Sequence, residues 1–383
     1  MATTEIVYPL AFPKSISHKC EICGKTASRI CTKCRVTYYC SEEHQATDSN
    51  GIHDKICSTL ATIRAKQPFL PSEEERRDRD REIREKKLHL IEVTRMIGER
   101  HVFQSRYDAA IPAALASLKL AIEVHGPRSV ELIPSYLVLA EASLGLKQLN
   151  QCWEYLSQAQ YTVLQQQDHA PPAITSQVAR NMAQLSIARR DYDEAARHLA
   201  NDIYDASLFY GTEHYKVAGG YFLLGKVFKL MNRLEVTESL YTQVTQMWYN
   251  HLRRLLQSRV VFSDMEAVLG KQDNDEDDEE NTTNPSKLDL ATEAEAHNTL
   301  QTLLAYRHET SHGPTTVQES NKIYHCFTIL HFLARDYIQV RDSMKNIKDC
   351  TVREIDEDQQ RILKFLDQLS RMKALMKRQQ QEN

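Results

Sequence analysis

Between residues 98 and 237 the sequence repeats a pattern of small and apolar residues that restricts this part of the chain to stacked helical hairpins. The segments SRYDAAIPAAL, KQLNQCWEYL, RDYDEAARHL and NRLEVTESLY align on Tyr107, Leu149, Tyr192 and Leu234, spaced 42, 43 and 42 residues apart. Nine residues before these anchors stand Gly98, Ala140, Ala183 and Gly225, each preceded by a large apolar residue: Ile97, Leu139, Met182 and Leu224. Three residues after the anchors come Ala110, Cys152, Ala195 and Thr237. Small side chains at such positions let two helices cross closely, and the large neighbours fill the space around the crossing. One hairpin cannot bury its apolar face alone, so successive units are expected to stack and to leave a concave groove for partner segments.

These positions resemble the small and apolar positions of the tetratricopeptide repeat, with a period similar to the extended repeats of kinesin light chains. EVHGPRSVEL and LFYGTEHYKVA are similar to the inter-repeat turn of that type, with Gly126 and Gly211 at equivalent places, whereas the middle turn QQDHAPPAITSQVA lacks the glycine. The register also removes a decoy. Gly220 to Val227 mimics a phosphate loop, but Val227 stands where a magnesium-holding hydroxyl is needed, the intervening residues are bulky, and the stretch falls within the first helix of the fourth unit.

The second constraint lies at the other end of the chain. Cys20-x2-Cys23, Cys31-x2-Cys34, Cys40-x3-His44 and His53-x3-Cys57 place eight thiol and imidazole groups in four close pairs. A C-x2-C pair converges from one tight turn, and an x3 pair puts both ligands on one helical face, so the set suffices for two tetrahedral zinc sites. A thioredoxin-like redox centre is excluded because no βαβ pattern surrounds either C-x2-C. No stretch reaches 18 uninterrupted apolar residues, and the N-terminal residues lack the basic start and apolar run of a signal peptide. The thiols are therefore expected in a reducing compartment, where clustered cysteines bind metal rather than pair as disulfides.

Residues Cys20 to Cys57, with Tyr39 directly before Cys40, resemble the MYND-type zinc finger. The resemblance implies interleaved sites: Cys20, Cys23, Cys40 and His44 around one zinc, and Cys31, Cys34, His53 and Cys57 around the other. His44 stands where the family usually has cysteine, and imidazole is an equally good ligand. Closed four-ligand sites of this kind are structural and leave no position open for catalysis. The resemblance further implies a protein-binding module. Gln45 and Asp48 match the family's Gln and Asp, but Ser49 stands in place of its Trp, which weakens the expectation that the finger grips proline-rich peptides. Nucleic acid is not expected as a partner. Basic and acidic side chains balance within the finger, and six thiolates with two zinc ions leave a formal charge of −2 there, against −4 for the whole chain.

The expected organisation is mainly α, a small two-zinc finger followed by an α-helical tetratricopeptide-repeat solenoid. An N-terminal extension covers residues 1–19 and the finger residues 20–57. A linker and charged helix occupy 58–87, with Ser72 as N-cap and Glu75 at capping-box spacing, and seven acidic and seven basic residues from Glu73 to Lys87 read as a solvated face. The ~42-residue repeats cover 88–270, and an acidic flexible loop covers 271–286, with seven acidic residues among the eight from Asp273 to Glu280. Further helical hairpins, degenerate repeats in this reading, cover 287–350, where His325, Cys326 and His331 read as core or groove residues rather than ligands. A capping helix and tail cover 351–383, with Ile355, Ile362, Leu363, Leu366, Leu369, Met372 and Met376 at helical spacing.

Three function classes use a finger of this kind. A methyltransferase built on a MYND finger needs a split SET domain, and neither its Gly-rich cofactor segment nor an Asn-His-x-Cys stretch occurs here. A nuclear or cytoplasmic corepressor adaptor binding proline-rich peptides is disfavoured by Ser49 and by the balanced charge. A non-catalytic protein–protein adaptor uses both modules and is the expected function. The order of finger and repeats is similar to that of the MYND and tetratricopeptide proteins of motile cilia and sperm flagella. That resemblance implies a cytoplasmic, axonemal protein associated with inner dynein arms and with another tetratricopeptide protein, and with neither nucleic acid nor membrane.

Overall fold

The computed structural model describes residues 4–6, 17–65, 68–165, 170–262, 290–310, 314–347, 355–364 and 366. The acidic segment 271–286, Cys350 and the apolar positions Leu369, Met372 and Met376 lie outside them. The chain divides into two compact units, Met1–Phe209 and Tyr210–Asn383. Among the described residues no helix is long and apolar enough to cross a membrane.

The first unit opens with a three-stranded antiparallel sheet, β1 (Thr4–Ile6), β2 (Arg29–Cys31) and β3 (Tyr38–Tyr39), in that order. Thr4 pairs with Cys31 and Ile6 with Arg29, so part of the expected N-terminal extension is an edge strand of the finger. Three residues carry too little alternation for that strand to be read from sequence; pairing with β2 supplies its backbone partners. Two short helices follow, α1 (Glu42–Asp48) and α2 (Asp54–Arg64), joined by a π-helical turn over Ser49–His53. The helical hairpins then begin: α3 (Glu73–Phe103) with α4 (Tyr107–His125), α5 (Ile133–Gly145) with α6 (Leu149–Gln165), and α7 (Pro172–Ala188) with α8 (Tyr192–Tyr210).

Ser72 caps α3 by accepting a hydrogen bond from the Glu75 amide, and the charged run and the first helix of the repeats form one continuous helix. Its first half is solvated, with ion pairs at helical spacing such as Glu73–Arg77 at 2.5 Å and Glu82–Lys86 at 2.7 Å. In the second unit α9 (Tyr215–Leu230) pairs with α10 (Leu234–Phe262), followed by α11 (Leu290–Thr310), α12 (Pro314–Leu333), α13 (Tyr337–Lys345) and a helical segment at 355–364. The phosphate-loop decoy lies inside α9, where no loop exists to cradle a phosphate.

Tyr107, Leu149, Tyr192 and Leu234 are each the first residue of the second helix of a hairpin. The turns before them are alike. Ser105, Lys147, Arg190 and Asn232 take positive φ between 58° and 65°. The following amide, of Arg106, Gln148, Asp191 or Arg233, donates to the carbonyl five residues back at 2.8–2.9 Å. This 6→1 bond closes the first helix and turns the chain into the second. A fifth copy, among the described residues, joins α12 to α13: Arg335 has φ 62° and the Asp336 amide donates to the His331 carbonyl at 2.9 Å. The sequence period misses it because α10 runs 29 residues against 17–19 for α4, α6 and α8.

The small residues mark the close crossings. A Cβ on Gly98 would stand 3.1 Å from Val138 Cγ1, and one on Gly225 would meet the Tyr241 ring at 2.5 Å. Ala110, Cys152, Ala195 and Thr237 are buried, and the Thr237 hydroxyl donates to the Gly225 carbonyl at 3.3 Å. In the second unit Trp248, Leu252, Leu300, Ile323, Cys326, Ile329 and Val340 form one core with Ile355, Ile362 and Leu366, whereas Leu363 of the expected capping stripe is half exposed. Asp358, fully buried, receives the Arg253 guanidinium of α10 at 2.8 Å. His325 and Cys326 are core residues, as read from sequence, and His331 stacks on Phe327.

Candidate metal centre

Both C-x2-C pairs sit on turns with the same backbone. The Gly24 amide donates to the Cys20 carbonyl and the Arg35 amide to the Cys31 carbonyl, each at 3.0 Å, and Gly24 and Arg35 have φ 68° and 57°. Such a turn aims two thiols inward from one loop. β2 ends at Cys31 and β3 ends just before Cys40, so the sheet sets the distance between the second and third pairs. The Ser41 hydroxyl accepts from the His44 amide at 3.2 Å and starts α1, which places His44 in its first turn. Cys40 therefore lies outside the helix, a departure from the expected shared helical face, because the cap falls between the two ligands. His53 ends the π turn and Cys57 lies in α2.

This scaffold gathers the eight side chains into two groups, Cys20, Cys23, Cys40 and His44, and Cys31, Cys34, His53 and Cys57; within each, the ligand atoms lie within 4.8 Å of one another. The grouping is the interleaved one. The histidines present different nitrogens: His44 Nδ1 stands 3.2 Å from Cys40 Sγ, and His53 Nε2 stands 3.3 Å from Cys31 Sγ. In the second group, burial and the charges of Cys34 and Cys31 push the Cys57 thiol up to about 12. Cys34, despite its burial, is brought down to about 6 by hydrogen bonds from His53 and Thr37. Three thiols so close together need a cation between them before all can ionise, and thiolate–imidazole sets of four suit zinc.

Around the second group is a buried polar layer. The Tyr39 hydroxyl, on a fully buried ring, donates to Asp48 Oδ2 at 2.7 Å, and the same oxygen lies 3.8 Å from His53 Nδ1. Burial pushes the Asp48 carboxyl up, against the pull of Tyr39 and His53. At 3.8 Å that oxygen is a charge neighbour of the His53 ring and not its hydrogen-bond partner, and its charge raises the basicity of the ring. The sequence offered Tyr39 and Asp48 only as pattern members; their contact spans nine residues and two element types.

The finger is packed against the first hairpin. Ile52, Ile56, Leu60 and Ile63 share one core with Leu90 and Ile97 of α3 and Ala113 and Leu120 of α4. A Cβ on Gly51 would come 2.8 Å from the Ala109 carbonyl oxygen and 3.0 Å from Pro112 Cγ, so the π turn touches α4 through bare backbone. His101 Nε2, near the end of α3, is 3.1 Å from the Gly51 carbonyl oxygen. Glu21, between the first two cysteines, pairs with Arg64 of α2 at 2.5 Å and with Lys119 of α4 at 2.7 Å. Burial would raise the Glu21 carboxyl, but the two cations outweigh it and hold it below the usual carboxylate range.

The family model of the MYND finger matches residues 20–57. Residues 20–57 are a MYND finger. Programmed cell death protein 2 of Mus musculus and of Rattus norvegicus is 40% identical to this chain over 45 residues, 12% of this chain and 13% of each relative. The Bos taurus protein of that name is 38% identical over the same length. The chain thus covers about an eighth of those relatives. Among solved structures, the crystal structure of BtubC (BKLC) from P. vanneervenii aligns with a TM-score of 0.31 and 15% identity, over 71% of this chain and 92% of that one. MYND fingers bind zinc and serve protein–protein interaction. In this MYND finger Gln45 and Asp48 are buried, and the Ser49 hydroxyl donates to Asp54 Oδ1 at 2.9 Å.

Proposed function

We propose that the chain is a non-catalytic adaptor. Its MYND finger holds one zinc on Cys20, Cys23, Cys40 and His44 and a second on Cys31, Cys34, His53 and Cys57. The following hairpins are tetratricopeptide repeats and supply the main grip on protein partners. The observation that carries this reading is the docking of the finger on α3 and α4 through a shared apolar core. A module fixed in this way serves as the end piece of a repeat array, and terminal units of such arrays need a special cap. Each ligand set offers four protein donors, which completes a tetrahedral zinc and leaves no coordination position for a substrate.

The order of modules and the stretch RICTKCRVTYYCSEEHQATDSNGIHDKIC resemble zinc finger MYND domain-containing protein 12. On that resemblance the chain is an axonemal protein of motile cilia and sperm flagella, associated with inner dynein arms and another tetratricopeptide protein. Proximity labelling in ciliated cells tests this. The wild-type chain should label axonemal dynein-arm proteins, and a variant carrying Tyr161→Ala, Leu164→Ala, Tyr204→Ala and Leu208→Ala, all exposed on α6 and α8, should lose part of that labelling. Labelling dominated by nuclear proteins with proline-rich segments would favour the corepressor reading and sink this one.

A further inference from the structure

The two ligand groups differ in what covers them. In the second, Cys31, Cys34, His53 and Cys57 are all buried, and the segments that carry His53 and Cys57 also carry Ile52, Ile56 and Leu60 of the core shared with α3 and α4. These thiols pack with Tyr39, Val36 and Ala61 inside the finger, out of reach of solvent. In the first, Cys20 is buried, Cys40 and His44 are partly covered, and Cys23 is exposed. Cys23 Sγ lies 3.5 Å from Cys40 Sγ, across the surface of the finger. An oxidant in solution therefore meets Cys23 first, with a second thiol already beside it. Glu21, two residues before Cys23, holds Lys119 of α4, so a change in this knuckle bears directly on the docking contact.

Resting on the two-zinc reading, we propose that Cys23 and Cys40 form a peroxide-reactive thiolate pair that releases the first zinc alone and loosens the finger from α4. Cys23 Sγ attacks one peroxide oxygen; the O–O bond breaks, hydroxide leaves, and Cys23 becomes a sulfenic acid. Cys40 Sγ then attacks the Cys23 sulfur and displaces the second hydroxide as the S–S bond forms. Two thiolates lose two electrons in total and hydrogen peroxide gains them. Cys20 and His44 are left as two ligands, too few to retain the ion. The second group keeps its zinc, because its sulfurs are buried with Tyr39 inside the finger.

The test uses the full-length protein purified without oxygen, its zinc content measured first. Hydrogen peroxide is then added, released zinc is followed with a chromogenic chelator, and cysteine oxidation is mapped by mass spectrometry. One zinc per chain should leave at least tenfold faster than the other, with a Cys23–Cys40 disulfide in that phase and faster amide exchange in α1 and α4. Cys23→His, its zinc content measured first, should lose the fast phase, because the exposed sulfur is gone. Release of both zincs in one phase, or early oxidation of Cys31, Cys34 or Cys57, would overturn the proposal. Should the variant not fold, the wild-type mapping decides alone. A starting content below two zincs counts against the zinc reading instead, while the order of thiol oxidation still tests the site.

Discussion

The Lys119 ammonium of α4 sits 2.7 Å from the Glu21 carboxylate, across 98 residues of sequence and inside the first cysteine knuckle. Lys119 also donates to the Glu21 backbone carbonyl, so it holds the knuckle by main chain and side chain. Both groups are partly exposed, and solvent screens their attraction. Lys119→Met should therefore cost only about 1 kcal/mol of stability. With Glu21→Gln the loss should be less than additive, since either change alone already breaks the same ion pair. A urea-unfolding double-mutant cycle measures this; strict additivity would show that the contact contributes nothing.

Gly51 meets α4 where no side chain fits. A Cβ there would lie 2.8 Å from the Ala109 carbonyl oxygen, and backbone cannot swing aside as a flexible side chain can. Gly51→Val should cost about 2 kcal/mol or more by forcing the π turn off α4. Hydrogen exchange should rise in α1, α2 and α4 while zinc content stays at two. Unchanged protection would mean that the finger and hairpin tolerate separation.

Much of this architecture is legible in sequence where a rule has a fixed period. The four anchors begin α4, α6, α8 and α10 because a helix pair of constant length brings the same crossing residue round every 42 or 43 positions. The eight ligands are legible because metal coordination demands close pairs. The fifth turn at Arg335 escapes since the longer α10 breaks the period. The docking of finger on repeat escapes for another reason. It depends on a glycine, a proline and an alanine whose meaning is only their proximity, and on a salt bridge with no sequence spacing of its own. Likewise β1 is defined by its partner strand and not by its own residues.

Removal of zinc tests whether finger and hairpin fold as one body. Ile52, Ile56 and Leu60 reach the shared core from segments whose course is set by His53 and Cys57. Chelation should therefore melt α1 and α2 and also lower the thermal midpoint of α3 and α4, with the second unit retaining its helicity. Circular dichroism combined with hydrogen exchange reads both. Full retention of α3–α4 protection after zinc loss would make the finger an independent domain.

Arg190 holds a left-handed conformation, φ 65°, at the turn between α7 and α8. An L side chain there is strained by about 1 kcal/mol, and glycine relieves that at some cost in unfolded-chain entropy. Arg190→Gly should leave stability unchanged or raise it by up to about 1 kcal/mol. Arg190→Val, β-branched in the same position, should lower it. The pair of thermal midpoints checks the turn, and a destabilising glycine would contradict it.

In the second unit Asp358 is fully buried against Arg253 at 2.8 Å, with His325 Nε2 3.7 Å away. Burial alone would raise its pKa; His325 and Arg253 outweigh burial and hold it below 3.8. A carboxyl with a lowered folded pKa adds stability that is complete above its unfolded pKa, about 4, and is lost as pH falls through the folded value. Asp358→Asn should therefore cost about 2 kcal/mol at neutral pH, where it leaves Arg253 without its counter-charge. Toward pH 3 and below, the difference from wild type should shrink, because the wild-type carboxyl is then protonated as well. The chain has two tryptophans, and Trp248 lies in the core of this unit. In a Trp153→Phe background its fluorescence reports unfolding of this unit alone. A stability difference that stays constant from pH 7 to pH 2.5 would assign the cost of the substitution to packing and not to the ion pair.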